Sequence, residues 1–131
     1  MATTTASLSI SSGDLTGDAL SLSSTATLTK AGTVTGLDQT TGVARKTFTT
    51  TNIQTLIDKG DYSDDKAHKV YVRNTSSVAT ENLIVTIESQ LLGRLYAGDF
   101  MFIPFNGDQD IKITPSVSTA MTVEFLVIYQ A

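Results

Sequence analysis

From His68 onward the chain alternates between apolar and polar residues. Val70 and Val72 alternate with Lys69, Tyr71 and Arg73, and Asn74-Thr75-Ser76-Ser77 closes the run. Leu83, Val85 and Ile87 alternate with Asn82, Thr86 and Glu88, while Ile84 breaks the polar side. Gly93 interrupts the next segment, Ala97-Gly98-Asp99 marks a turn, and Phe100 to Phe105 is the most apolar and aromatic stretch. Ile111 and Ile113 follow, stopped by Pro115; Met121, Val123, Phe125, Val127 and Tyr129 alternate along the final segment. A period of two sends alternate side chains to opposite faces of an extended strand. The pattern predicts about five strands with short turns and no convincing helix. That is an all-β fold, an antiparallel β-sandwich of jelly-roll-like or immunoglobulin-like type.

The Asn106-Gly107 pair is a strong short-range hairpin signal. With those residues as the loop, Phe102 faces Ile111 and Phe100 faces Ile113, and a four-residue loop preserves the same faces. Phe100, Phe102, Ile111 and Ile113 are then expected to share the core face. Met101, Ile103 and Phe105 fall on the opposite face, and Leu126 and Ile128 lie opposite Phe125 and Val127 in the last strand. An apolar row facing water is unusual on a soluble monomer. Met101, Ile103, Phe105, Leu126 and Ile128 are therefore the candidate interface residues. Their cover is the N-terminal arm, the chain's own loops or another subunit.

The first third has a different texture. No aromatic residue precedes Phe48, and Ser, Thr, Gly, Ala and small aliphatics dominate. Leu20, Leu22, Ala26 and Leu28 still alternate with Ser and Thr, and Leu8 and Ile10 repeat the pattern earlier. Turn signals stand at Ser12-Gly13-Asp14, Gly17-Asp18, Ala31-Gly32 and Gly36-Leu37-Asp38. This favours an ordered extended arm or strands over a flexible linker, although strands so narrow need another surface to pack on. The expected division is a Ser/Thr-rich N-terminal arm over residues 1–47 and a β-sandwich domain over residues 48–131, which brings the strand total to about seven to nine.

In the middle, Ile53, Leu56 and Ile57 sit at helical spacing behind Thr49-Thr50-Thr51-Asn52, so one helical turn ending before Gly60 is expected, with a strand as the competing reading. Asp61, Asp64 and Asp65 raise the question of Ca²⁺, but their spacing does not match an EF-hand, and a solvated acidic loop is favoured. His68 is the only histidine. It lacks a second histidine or a recognisable nucleophile motif, and is expected half-exposed at the start of a strand. Asn74-Thr75-Ser76 matches a glycosylation sequon but reads as a turn.

Composition sharpens these readings. Charged residues make up 17% of the chain, well below the usual quarter, with Ser and Thr filling the gap; a β-branched, lightly charged chain favours strands over disorder. The net charge of -4 and a pI near 4.7 argue against non-specific nucleic-acid binding, since the nearest thing to a basic cluster is the Arg45-Lys46 pair. Without cysteine there are no disulfides and no thiolate metal sites. No catalytic, cofactor or metal motif stands out, and no apolar run approaches a membrane span. Met1 to Ile10 lacks the basic and apolar regions of a signal peptide, so synthesis in a cytoplasm without export by the common route is expected.

Three stretches carry a family resemblance. They are His68-Lys69-Val70-Tyr71-Val72-Arg73-Asn74-Thr75-Ser76, the segment from Gly93 through Pro104, and Val123-Glu124-Phe125-Leu126 to the C-terminus. Over roughly residues 66 to 131 the chain resembles the small β-sandwich virion proteins of tailed bacteriophages, particularly marine and cyanobacterial ones. The resemblance implies a non-enzymatic assembly role at the virion surface. The capsid decoration (cement) role comes first, binding the major capsid protein or other virion proteins as a homo-oligomer, with a trimer as one option. The alternatives are a tail, neck or fibre-base component, or a receptor- or carbohydrate-binding module.

Overall fold

The period-two segments fold as strands. A computed structural model describes residues 3–15, 17 and 19–131. Its strands are β1 (Thr4–Ser12), β2 (Leu20–Leu28), β3 (Gln39–Thr40), β4 (Ala44–Phe48), β5 (Gln54–Ile57), β6 (His68–Asn74), β7 (Asn82–Ile87), β8 (Gln90–Tyr96), β9 (Phe100–Phe105), β10 (Ile111–Pro115) and β11 (Met121–Tyr129). Among the described residues the sole helical element is a 3-10 turn at Lys59–Asp61, capped by the Asp58 carboxylate, which accepts the Gly60 N–H at 2.7 Å. The helical turn expected around Ile53 to Ile57 is instead strand β5, because Ile57 pairs with Ile111 and packs into the core. The chain divides into two units, Met1–Asp38 and Gln39–Ala131. Residues 39–47, expected in the arm, belong to the second unit, since β3 and β4 both pair with β11.

The second unit is an antiparallel sandwich. One sheet runs β5-β10-β7-β8; the other runs β3-β11-β6-β9, with β4 also paired to β11. From β4 to β11 every connection crosses between sheets except the β7–β8 hairpin. The resulting orders, β4-β11-β6-β9 and β5-β10-β7-β8, are the jelly-roll arrangement of two interlocked Greek keys. Between the sheets lie Val70 and Val72, Leu83 and Val85, Ile111 and Ile113, and Met121, Val123 and Val127, all essentially without solvent contact.

The expected β9–β10 hairpin does not form. β9 pairs with β6 in one sheet and β10 pairs with β5 and β7 in the other, so Asn106-Gly107 is a corner between sheets. Gly107 has φ +100°, and a Cβ on it would collide with the Ser63 carbonyl oxygen. Face parity does not carry across such a corner. Ile111 and Ile113 are core as expected, but Phe100 and Phe102 point outward, while Phe105 is buried and Met101 and Ile103 pack on the core. The inward-facing set of β9 is thus the reverse of the expectation.

The first unit holds β1 and β2, paired antiparallel from Thr4↔Leu28 to Ser12↔Leu20. This register puts Ala6, Leu8, Ile10, Leu20, Leu22, Ala26 and Leu28 on one face. Thr5, Ser7, Ser9 and Ser11 share the other with Ser21, Ser23, Thr25 and Thr27, and the Ser7 and Thr25 hydroxyls meet at 3.1 Å. Leu8 and Ile10 remain 43% exposed and Leu22 47%. Leu28 and Leu37 are buried, and the Leu37 N–H donates to the Leu28 carbonyl at 3.0 Å. Asp18 of the expected Gly17-Asp18 turn lies outside the described residues.

Candidate functional site

Pairing registers set the outer face of the β4-β11-β6-β9 sheet in rows. One row runs Arg45, Glu124, Arg73, Phe100; the next runs Leu126, Tyr71, Phe102; a third runs Thr40, Ile128, Lys69, Pro104. Phe100 keeps 56% of its surface in solvent and Phe102 41%. Tyr71, Leu126 and Ile128 are half-buried beside them, and the Tyr71 and Phe100 rings lie 6.3 Å apart. Of the candidate interface residues, Leu126 and Ile128 are on this outer face, whereas Met101, Ile103 and Phe105 belong to the interior. Phe100 and Phe102 take their place. Pro104 marks β9 as an edge strand, which it is, but carries no signal of which face Phe100 and Phe102 take.

The first row is wired electrostatically. Arg45 donates through Nε and Nη2 to Glu124 Oε2 at 3.2 and 3.0 Å, and the Tyr71 hydroxyl donates to Oε1 at 2.9 Å. The Tyr71 bond and then the Arg45 fork hold the Glu124 carboxyl below its ordinary pKa. Burial, followed by the bond to Glu124, raises the Tyr71 hydroxyl. Each Glu124 oxygen therefore already accepts a hydrogen bond. Arg73 stands beside Glu124 in register and reaches the Tyr71 hydroxyl, but forms no salt bridge with any described residue. Arg45, Arg73 and Glu124, with Thr75, Gly98 and Thr122, line an open cleft of about 470 Å³. Clefts of a few hundred Å³ with few convergent polar groups can take a ligand or a partner side chain.

The neighbouring Lys46 faces the opposite way, its Nζ 5.3 Å from the Phe48 ring centre, so the Arg45-Lys46 pair is no cationic cluster in space. His68 starts β6 as expected but is fully buried. Its Nε2–H donates to the Ser63 carbonyl at 2.9 Å and its Nδ1 accepts the Gln130 N–H at 3.2 Å, which fixes the tautomer. The ring packs with Tyr62, Phe105 and Tyr129. A residue enclosed this way ties a loop and the end of β11 to β6. Asp61, Asp64 and Asp65 are exposed, and the described residues contain no cluster of three or more His, Cys, Asp or Glu that could hold a metal ion. Asn74 of the sequon is buried; its Nδ2 donates to the Leu95 carbonyl at 3.0 Å and the Glu81 carbonyl at 3.3 Å. Its Oδ1 accepts the Ser76 N–H at 3.0 Å, which makes the turn that the sequence predicts, so the same side chain turns the chain and links the sheets.

No protein-family model matches the chain, and no curated protein matches it in sequence.

Proposed function

We propose that the chain is a non-enzymatic structural protein of a tailed-phage particle, a capsid decoration (cement) protein that docks on the major capsid protein through the outer face of its β4-β11-β6-β9 sheet. The observation that carries the reading is the apolar row Leu126, Tyr71 and Phe102, extended by Phe100 and Ile128, left open on one face of a well-packed jelly roll. Exposed apolar faces of this kind mark sites of association. The fold adds only an analogy, since jelly rolls serve in viral capsids and also in lectin domains. The β1–β2 ribbon supports the same role, because a two-stranded ribbon with one apolar face open gains by lying on another surface. Association with further copies of the chain, as a trimer or another ring, fits the same surfaces.

The test is mass spectrometry of gradient-purified particles of the phage or prophage that encodes the chain, with immunogold labelling for position. A 13.9 kDa chain on the heads is the expected result. Its absence from particles overturns the proposal. Label confined to tails or fibre bases replaces the decoration role with that of a tail or fibre component.

A further inference from the structure

We infer that the Arg73 cleft is a carboxylate-binding site, and that it takes the Asp or Glu side chain of an extended segment of the docking partner, with an apolar residue two positions away. The inference rests on the docking face proposed above and specifies the partner's chemistry. It begins with charge. The whole chain carries -4, yet the cleft holds two guanidinium groups against one carboxylate. Glu124 is held directly by Arg45 and Tyr71, whereas Arg73 acts on it only from a distance and makes no salt bridge with a described residue, so the cleft keeps a net positive charge centred on Arg73. A guanidinium offers a planar fork of donors that matches a carboxylate in bidentate geometry.

Spacing then defines the segment. Arg73 and Tyr71 lie two residues apart on β6, and alternate residues on a strand stand about 6.6–6.8 Å apart. An extended partner segment has the same repeat. With its acid over Arg73, the residue two positions along lies over Tyr71, between Phe102 and Leu126 in the next row. An acid-x-apolar pattern fits both rows without bending either chain. A sugar fits less well, because the hydroxyls at the cleft are already committed: Thr75 donates to the Thr122 carbonyl at 2.6 Å and Ser76 to the Glu81 carboxylate at 2.9 Å. A nucleic acid would need a clustered run of cations to meet its phosphates, and the chain carries a net charge of -4.

The experiment is an NMR titration of the full ¹⁵N-labelled chain, following the Arg73 Nε–H and the amides of Thr75 and Gly98. The probes are the peptide Ac-Thr-Glu-Thr-Leu-Thr-NH2, its Gln counterpart, sodium acetate and glucuronate. The Glu peptide is expected to shift these signals saturably. The Gln peptide should bind at least about tenfold more weakly, and raising NaCl from about 20 to 300 mM should weaken the Glu peptide several-fold. Arg73→Gln should lose about tenfold or more in affinity while keeping native signal dispersion, whereas Arg94→Gln, on the other sheet, should bind as the parent does. Equal binding of the Glu and Gln peptides, no shift with any probe, or an unaffected Arg73→Gln overturns the site. Acetate binding as well as the Glu peptide overturns the extended segment, and tighter binding of glucuronate replaces it with an acidic sugar. A failed titration by a chain still found on heads removes the cleft alone; a saturable one by a chain absent from particles removes the virion role alone.

Discussion

Phe105→Ala and Phe102→Ala probe opposite faces of one strand. Phe105 is 5% exposed, with its ring 5.6 Å from Tyr62 in an edge-on arrangement and 5.8 Å from His68. Truncating a buried phenylalanine costs about 3–5 kcal/mol, the transfer term plus the cavity it leaves. A domain of this size has about 5–14 kcal/mol in total, so Phe105→Ala removes about a fifth of it at the least. Phe102 already keeps 41% of its surface in water, so its truncation loses only part of the transfer term, about 1–2 kcal/mol. All four tyrosines lie in the sandwich, so tyrosine fluorescence in a urea titration follows that unit alone. With a slope of about 1.5 kcal/mol per molar urea, Phe105→Ala should lower the midpoint by about 2–3 M and Phe102→Ala by about 1 M. A Phe105→Ala midpoint within about 0.5 M of the parent, or a Phe102→Ala loss as large as that of Phe105→Ala, would show that β9 presents the other face to the core.

Three other variants test how the sandwich is closed. Gly107→Ala places a Cβ against the Ser63 carbonyl at a φ of +100°, and should cost at least about 2 kcal/mol in the same titration; a loss under about 0.5 kcal/mol means the corner lies elsewhere. Asn74→Ala strips hydrogen bonds from the buried Leu95 carbonyl and the Glu81 carbonyl, and should cost about 2–3 kcal/mol, detected also as faster hydrogen exchange along β8. Glu124 and Glu88 are both held below the ordinary glutamate value of 4.5, Glu124 first by Tyr71 and then Arg45, Glu88 first by Lys59 and then the Asp110 N–H. Their contribution is complete above that value and is lost as pH falls through the lower folded-state values. The double variant Glu88→Gln/Glu124→Gln should therefore show a smaller drop in urea midpoint between pH 7 and pH 3 than the parent; an unchanged drop would mean that other groups set the acid sensitivity.

The strand faces that could be read from the sequence were those where alternation is local and complete. Val70 and Val72, Leu83 and Val85, Ile111 and Ile113, and Met121, Val123 and Val127 all point inward as their period demands. β8 was hidden because Leu91 and Leu92 are adjacent and Gly93 follows, a break in period that the structure resolves as a bulge opposite Val85 and Thr86. The direction of β9 could not be read locally, because it depends on whether Asn106-Gly107 closes a hairpin or turns a corner against Ser63, a partner over forty residues away in the chain. The same holds for His68, whose burial comes from Ser63 and from Gln130 at the far end. The cleft was the least legible part: Arg45 and Glu124 are 79 residues apart, and only the β4–β11 register brings them together.

Sandwich proteins can associate through sheet edges or through sheet faces, and here the edges are blunted. β4 points Lys46 toward the interior side, a charge that a second strand added at this edge would have to accommodate. β9 carries Pro104, which has no N–H to offer a neighbour. β5 is four residues long and its ladder to β10 is irregular between Ile111 and Lys112, while β8 carries the bulge beside Gly93 and a charged Arg94. Each device discourages main-chain pairing with a stranger. The outer face of the β4-β11-β6-β9 sheet has the opposite character, with an apolar row beside a charged row in which three of the four charges needed for a closed network are present. A surface built this way favours side-chain docking over strand addition. Affinity would come from covering Phe102, Tyr71 and Leu126, and register from the charge that completes Arg73.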